Sequence, residues 1–172
     1  MNRFAPMLAA VAVLAGPAGA EVTSNDQGFV VQNSAVAAAP PTAVWAALVQ
    51  PSRYWNPEHS FSGNAANLSI ESRAGGCFCE ALPNGGSVEH MRVVMVQPGQ
   101  LLRLSGALGP LQSEGLAGGL TWQLEAVEGG TRISQTYVVG GNMRFERASF
   151  LPIVDGVLRE QLQRLAALFP RR

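Results

Sequence analysis

The run CFCEALPNGGSVEHMR, residues 77–92, decides the fold. At its centre Asn84-Gly85 is the strongest short-range signal for a hairpin, because both residues accept the positive φ angles of a type I′ turn. The flanking segments 77–82 and 87–97 read as two antiparallel strands. With Asn84 and Gly85 as the loop, Pro83 faces Gly86. Counting outward sets Glu80 opposite Glu89, Cys79 opposite His90 and Phe78 opposite Met91. This register predicts one face carrying Cys77, Cys79, His90 and Arg92, and another carrying Glu80 and Glu89 with Phe78, Met91, Val93 and Met95. The second face is the more apolar and is expected to look inward.

Working outward, residues 68–73, 101–107, 120–127 and 131–139 read as further strands separated by Gly, Pro and Asn punctuation, so consecutive strands form an antiparallel meander. Glu128-Gly129-Gly130 supplies another hairpin turn. Upstream, 29–37 is a Val-rich strand that Pro40-Pro41 ends. Val44, Trp45, Leu48 and Val49 then keep helical spacing up to Pro51, and 51–57 reads as a second short helical turn. Downstream, Leu151, Val154, Leu158, Leu162, Leu165 and Phe169 recur at steps of three and four, which predicts a long amphipathic helix over 151–169. Residues 106–119 are too rich in Gly for a regular strand and read as a loop. Residues 142–150, with Met143, Phe145 and Phe150, precede the last helix and are placed to form a covering lid. Each element has one apolar face. An α+β arrangement, with a curved antiparallel sheet wrapped around the long C-terminal helix and two short helices after the first strand, buries them all.

The chain opens on Arg3, an apolar run from Pro6 to Ala15, and Ala18-Gly19-Ala20. That is the layout of a secretory signal peptide, and its apolar run is shorter than the about 20 residues a spanning helix needs. Cleavage after Ala20 leaves 152 of the 172 residues, a single domain over 21–172 that is periplasmic or secreted and has no stable membrane insertion. The basic residues are all Arg, and twelve of them balance twelve acids. Such a field is a poor match for nucleic acid or an anionic membrane.

Ala39-Pro40-Pro41 precedes a helix carrying Val44-Trp45, Trp55 follows Pro51, and Gly75-Gly76 precedes a strand. Pro98-Gly99 stands before Leu101-Leu102, Gly130-Thr131 enters the last strand, and a long helix closes the chain. This order resembles the START/Bet v1-like (SRPBCC) superfamily, and within it the polyketide cyclase/dehydrase and Hsp90-ATPase-activator-like branch. The resemblance implies a helix-grip fold whose internal cavity takes lipids, polyketides or other hydrophobic molecules. Some members catalyse cyclisation, dehydration or hydrolysis there, without a shared catalytic residue set. The export signal argues against a cytosolic chaperone role.

No phosphate-binding loop, dinucleotide fingerprint, nucleophile elbow or paired-His zinc helix occurs, and there is no Lys for a Schiff base. Neither a cofactor nor a metal is expected. Cys77 and Cys79 are soft ligands, but residues two apart on a strand lie about 6–7 Å apart. A disulfide between them and two separate half-buried thiols both stay open. Glu80, Glu89 and His90 are the candidate acid–base groups, since opposed carboxylates push their pKa values apart. Against this stands a solvated or salt-bridged hairpin edge. Trp45, Trp55, Phe78, Met91, Trp122 and Tyr137 are the candidate ligand-binding residues, and His59 reads as a surface residue. Two functions therefore stand open. One is an exported binding or carrier protein for a hydrophobic small molecule. The other is a cavity enzyme of cyclase, dehydratase or hydrolase type using the 77–92 hairpin.

Overall fold

The computed structural model describes residues 20–25, 27–144 and 146–171. The expected signal segment up to residue 19, and Phe145 of the expected cover, lie outside the described residues. Eight strands follow the chain as β1 (Ala20–Asn25), β2 (Gly28–Ala37), β3 (Leu68–Ile70), β4 (Cys77–Ala81), β5 (Ser87–Gln97), β6 (Leu101–Ser105), β7 (Ala117–Val127) and β8 (Gly130–Gly140). They make one curved sheet in the order β1-β2-β8-β7-β6-β5-β4-β3, with every neighbouring pair antiparallel. Helix α1 (Pro41–Leu48) and helix α2 (Arg147–Ala167) complete the α+β helix-grip expected from the sequence.

The β7–β8 hairpin is the most regular part of the sheet. It turns at Glu128-Gly129, where Gly129 has φ 81°, and pairs without interruption from Val127 and Gly130 to Ala117 and Gly140. Alternation then sends Leu120, Trp122 and Leu124 of β7, and Ile133, Tyr137 and Val139 of β8, into the core. Leu151, Leu158, Leu162 and Leu165 of α2 are buried as well, and α2 packs chiefly over β2.

Four departures from the expected elements amount to three residues or more. The polar lead-in before residue 28 is an edge strand, β1, exposed along its length and held by pairing to β2. Strand β3 stops at Ile70, because the chain bends through Gly75 at φ 79°. Strand β7 starts at Ala117, inside the segment read as a loop. Gly118 belongs there because an added Cβ would meet the Gly106 carbonyl oxygen at 2.4 Å and the Tyr137 ring at 3.1 Å. Helix α2 begins at Arg147 because the Glu146 carboxylate accepts from the backbone N–H groups of Ala148 and Ser149, a side-chain N-cap.

The β4–β5 hairpin keeps its expected turn but not its expected register. Asn84 (φ 59°) and Gly85 (φ 78°) form the loop, and the Gly86 N–H donates to the Pro83 carbonyl across 3.2 Å. Leu82 then also donates to Gly86, so β4 carries one extra residue beside the turn. Glu80 therefore pairs with Val88, and Cys79 with Glu89. A β-bulge at His90 adds one residue to β5 and restores the expected pairs Phe78–Met91 and Cys77–Arg92. The expected oppositions of Cys79 with His90 and of Glu80 with Glu89 are thus corrected. A bulge turns two successive side chains to one side, so His90 and Met91 both face the core while Glu89 faces solvent. A second bulge at Val94, against β6, turns Met95 outward as well, contrary to its expected inward position.

Candidate functional site

The segment after α1 is fastened to the sheet and to α2 by side chains. The Tyr54 hydroxyl donates to the Leu48 carbonyl across 3.0 Å, and Nε of Arg164 donates to the Tyr54 carbonyl across 2.6 Å. The Asn56 backbone N–H donates to Oε1 of Gln161, and Nδ2 of Asn56 to Oε1 of Glu160, each at 2.7 Å. Nε2 of His59 lies 3.0 Å from Oε2 of Glu160. These bonds fix residues 54–61 as one wall of a cavity of about 310 Å³.

Trp55 and Phe61 stand on that wall with His59 and Ser60. Phe150, Val154, Val157 and Leu158 of α2 form the opposite side, with Ile153 at the rim. The turn at Gly109–Glu114 and its N-cap supply Leu108, Pro110 and Leu111, and β8 supplies Tyr137. Phe61 and Ile153 are 58% and 59% exposed, so the apolar wall continues to the mouth. The volume falls at the lower end of small-molecule sites, which are mostly apolar with a few placed polar groups.

The placed polar group here is a buried pair. Nε2 of His90 donates to Oε2 of Glu80 across 2.9 Å, with both side chains nearly inaccessible. The same carboxylate accepts from the backbone N–H groups of Phe61 and Ser62. Burial pushes the Glu80 pKa up, but the hydrogen bonds from Ser62, Phe61 and His90 outweigh it and hold the carboxyl below its ordinary value. Burial dominates at His90 and lowers its pKa, against the raising effect of Glu80. At neutral pH the pair is therefore a carboxylate and a neutral imidazole. A carboxylate has only acceptors, so Nε2 must carry the imidazole proton and Nδ1 a lone pair. His90 lines the cavity, and among the described residues its ring bonds through Nε2, not Nδ1. Phe61 stacks on the imidazole at 5.9 Å and 21°, and Phe78 lies tilted beside it at 5.0 Å.

The pair can orient an imidazole that lines an apolar space and leave one of its nitrogens basic. Of the three candidate acid–base residues, Glu80 and His90 meet there, whereas Glu89 sits on the outer face paired with Arg92. Of the candidate ligand residues, Trp55 and Tyr137 line the cavity. Phe78, Met91 and Trp122 are buried in the core behind the wall, and Trp45 is half-buried against that core. His59 is exposed, as expected, yet lies on the cavity mouth. Among its candidate ligand-binding residues the sequence reading did not name Phe61 or the cavity-facing stripe of α2, Phe150, Ile153, Val154 and Val157, though Phe150 and Val154 were already assigned to the expected cover and the expected helix. That stripe was visible as apolar positions beyond those needed to pack one helix on one sheet.

Cys77 and Cys79 are joined by a disulfide with Cα atoms 5.3 Å apart, within the ordinary range. The bridge lies on the face away from His90, so the three do not converge. Among the described residues no group of three or more His, Cys, Asp or Glu could hold a metal ion. Nor is any described helix long and apolar enough to cross a membrane.

No curated protein matches the chain significantly. Among solved structures it is similar to protein MLL2253 from Mesorhizobium loti, at 18% identity and TM-score 0.58, over 81% of this chain and 95% of that one. It is similar to CalU16 from Micromonospora echinospora, at 16% identity and TM-score 0.59, over 89% and 84%. The Aha1 dimer from Colwellia psychrerythraea, known from a solution structure, matches at 18% identity and TM-score 0.59, over 81% and 95%. At these identities the likeness is one of fold. Residues 29–170 match the family model described as polyketide cyclase / dehydrase and lipid transport, and this chain therefore belongs to that family.

Proposed function

We propose that this protein is an exported carrier that holds a hydrophobic small molecule in the cavity between residues 54–61, α2 and the sheet. The observation that carries the reading is the wall itself, aromatic and aliphatic down to the exposed Phe61 and Ile153, in a family whose description includes lipid transport. Burying an apolar ligand there removes its surface from water at about 25 cal/mol per Å². Export is supported by the layout of residues 1–20 and by the Cys77–Cys79 bridge, since disulfides persist in oxidising compartments. The test is mass spectrometry of an organic extract of the protein purified from its native compartment. An apolar compound in stoichiometric amount is expected, together with an intact mass that begins at Glu21. An extract without such a compound would count against the carrier, and an unprocessed cytosolic chain against export.

A second reading, a cavity enzyme of cyclase, dehydratase or hydrolase type, is favoured by the neutral imidazole that Glu80 orients toward the cavity. In that reading Nδ1 of His90 takes a proton from substrate, and Glu80 positions the ring and stabilises the imidazolium that forms. Glu80→Gln and His90→Ala separate the two. A carrier variant still fills its cavity with the apolar body of its ligand, whereas an enzyme loses about 10²–10⁴-fold in turnover, the usual contribution of a positioned base.

A further inference from the structure

The cavity wall is apolar except at a few places, and the polar atoms there constrain what can sit beside them. Glu58, His59 and Ser60 lie on the outer segment, where His59 is already paired with Glu160. Further in, the Tyr137 hydroxyl accepts the Leu108 N–H at 2.9 Å. That leaves Nδ1 of His90 as an inner acceptor, since the ring's side-chain hydrogen bond among the described residues is made by Nε2.

We infer that the ligand carries a neutral hydroxyl group on an otherwise apolar, aromatic body, a phenol or an enol, and that this hydroxyl donates to Nδ1 of His90. The inference rests on the reading of the cavity as a small-molecule site. Three arguments select the hydroxyl. An ether, ester or plain hydrocarbon offers no donor, and would bury the nitrogen lone pair unpaired, which costs about 1–3 kcal/mol. A carboxylate ligand would approach a pair that already carries the charge of Glu80 in a low-dielectric site, and would be repelled. An ammonium would complement that charge, yet in so apolar a cavity it would give up the hydration of its remaining N–H groups, which the faces of Trp55 and Phe150 replace only in part. An acidic hydroxyl spends its single proton on Nδ1 and leaves the rest of the molecule to the wall. The aromatic body follows from the rings that line the cavity beside the imidazole, Trp55, Phe61, Tyr137 and Phe150.

The test uses 2-naphthol, 2-methoxynaphthalene and naphthalene as probes, with dissociation constants measured by tryptophan fluorescence and by calorimetry on the mature chain. In the unmutated protein 2-naphthol is expected to bind about tenfold or more tightly than the other two, the ratio of one hydrogen bond to a buried group. In His90→Phe, which keeps a ring in the stack and removes the acceptor, the preference should vanish while 2-methoxynaphthalene changes less than about threefold. Should that variant fail to fold, imidazole nitrogen NMR of the unmutated protein decides. The chain has two His residues, which keeps assignment simple. The Nδ1 resonance of His90 is expected at the unprotonated position and should move on adding 2-naphthol but not naphthalene. Equal binding of all three probes, or an Nδ1 resonance that ignores 2-naphthol, overturns the hydroxyl and leaves the cavity reading standing. Binding by none of the three overturns both.

Discussion

Two hairpins of the same sheet are built to different rules. In β7–β8 every residue of one strand meets one of the other over eleven pairs, and inward side chains alternate with outward ones throughout. In β4–β5 an extra residue stands beside the turn and another, His90, bulges from β5, and a disulfide spans Phe78. The regular hairpin supplies core and carries the sheet's shape. The irregular one supplies the buried polar pair, because the bulge lets β5 point two neighbours inward and so add His90 without giving up Met91. Regularity here belongs to the scaffold, and departures from it mark the candidate site.

The comparison is broken most severely by deleting one residue from each hairpin. Removing Thr121 from β7 shifts every residue before it by one position and turns Leu120 and its neighbours from core to solvent. That chain is expected to show no cooperative unfolding transition, since the loss exceeds the about 5–15 kcal/mol that holds a domain together. Removing His90 from β5 leaves the pairs Phe78–Met91 and Cys79–Glu89 as they are. It should cost only about 2 kcal/mol, for a buried carboxylate deprived of one donor. Urea unfolding measures both, and amide exchange should still show a protected β4–β5 ladder after the second deletion.

Acid should act on one hairpin and not on the other. Glu80 and His90 both have pKa values below their ordinary ones in the folded chain, so the unfolded chain binds protons first as pH falls. Stability from the pair is complete at neutral pH. It declines first below the ordinary imidazole value near 6.5, as pH drops toward the depressed value of His90. It declines again below the ordinary carboxylate range, toward that of Glu80. Unfolding free energies measured from pH 8 to 4 are expected to fall in this way, and Glu80→Gln should remove the lower part of the decline. A decline of the same size in Glu80→Gln would locate the acid sensitivity elsewhere.

The smallest effect concerns the one flaw in the regular hairpin. Gln135 of β8 is buried opposite Asn33, yet both atoms of its amide, and Oδ1 of Asn33, have no partner among the described residues. Nδ2 of Asn33 does reach Oδ1 of Asp155 on α2 at 3.1 Å. Replacing an unpaired buried amide by an apolar group of like shape removes a desolvation cost. Gln135→Met should therefore raise stability by about 1 kcal/mol in thermal melts. A destabilised variant would point to an ordered water held by that amide.

How far the sequence could be read follows the same division. The β7–β8 hairpin was legible because its turn residues and its alternation are local properties. So were α2, from its apolar stripe, and the turn at Asn84-Gly85. The inward position of Glu80 was legible too, since it lies two residues from Phe78 on a regular stretch of β4. Strand β1 was not, because an exposed edge strand needs only backbone pairing and leaves no apolar pattern. Gly118 looked like loop material because what demands it, the approach of Gly106 and the Tyr137 ring, lies far away in sequence. The inward turn of His90 could not be counted out from the hairpin loop, because an added residue on each strand changes the count and neither has a signature in composition. Phe61 came to the imidazole through the backbone N–H groups that Glu80 holds, a contact between segments nineteen residues apart.

A bulged position also has a particular standing in inheritance. Because the ladder closes on either side of residue 90, one inserted codon is enough to add an inward group at this wall, and exchanging that codon alters the group without shifting the strand pairing beside it. Ligand preference in such a cavity can thus be rewritten by a single genetic event, while the strands that carry the shape remain under the stricter constraint of alternation.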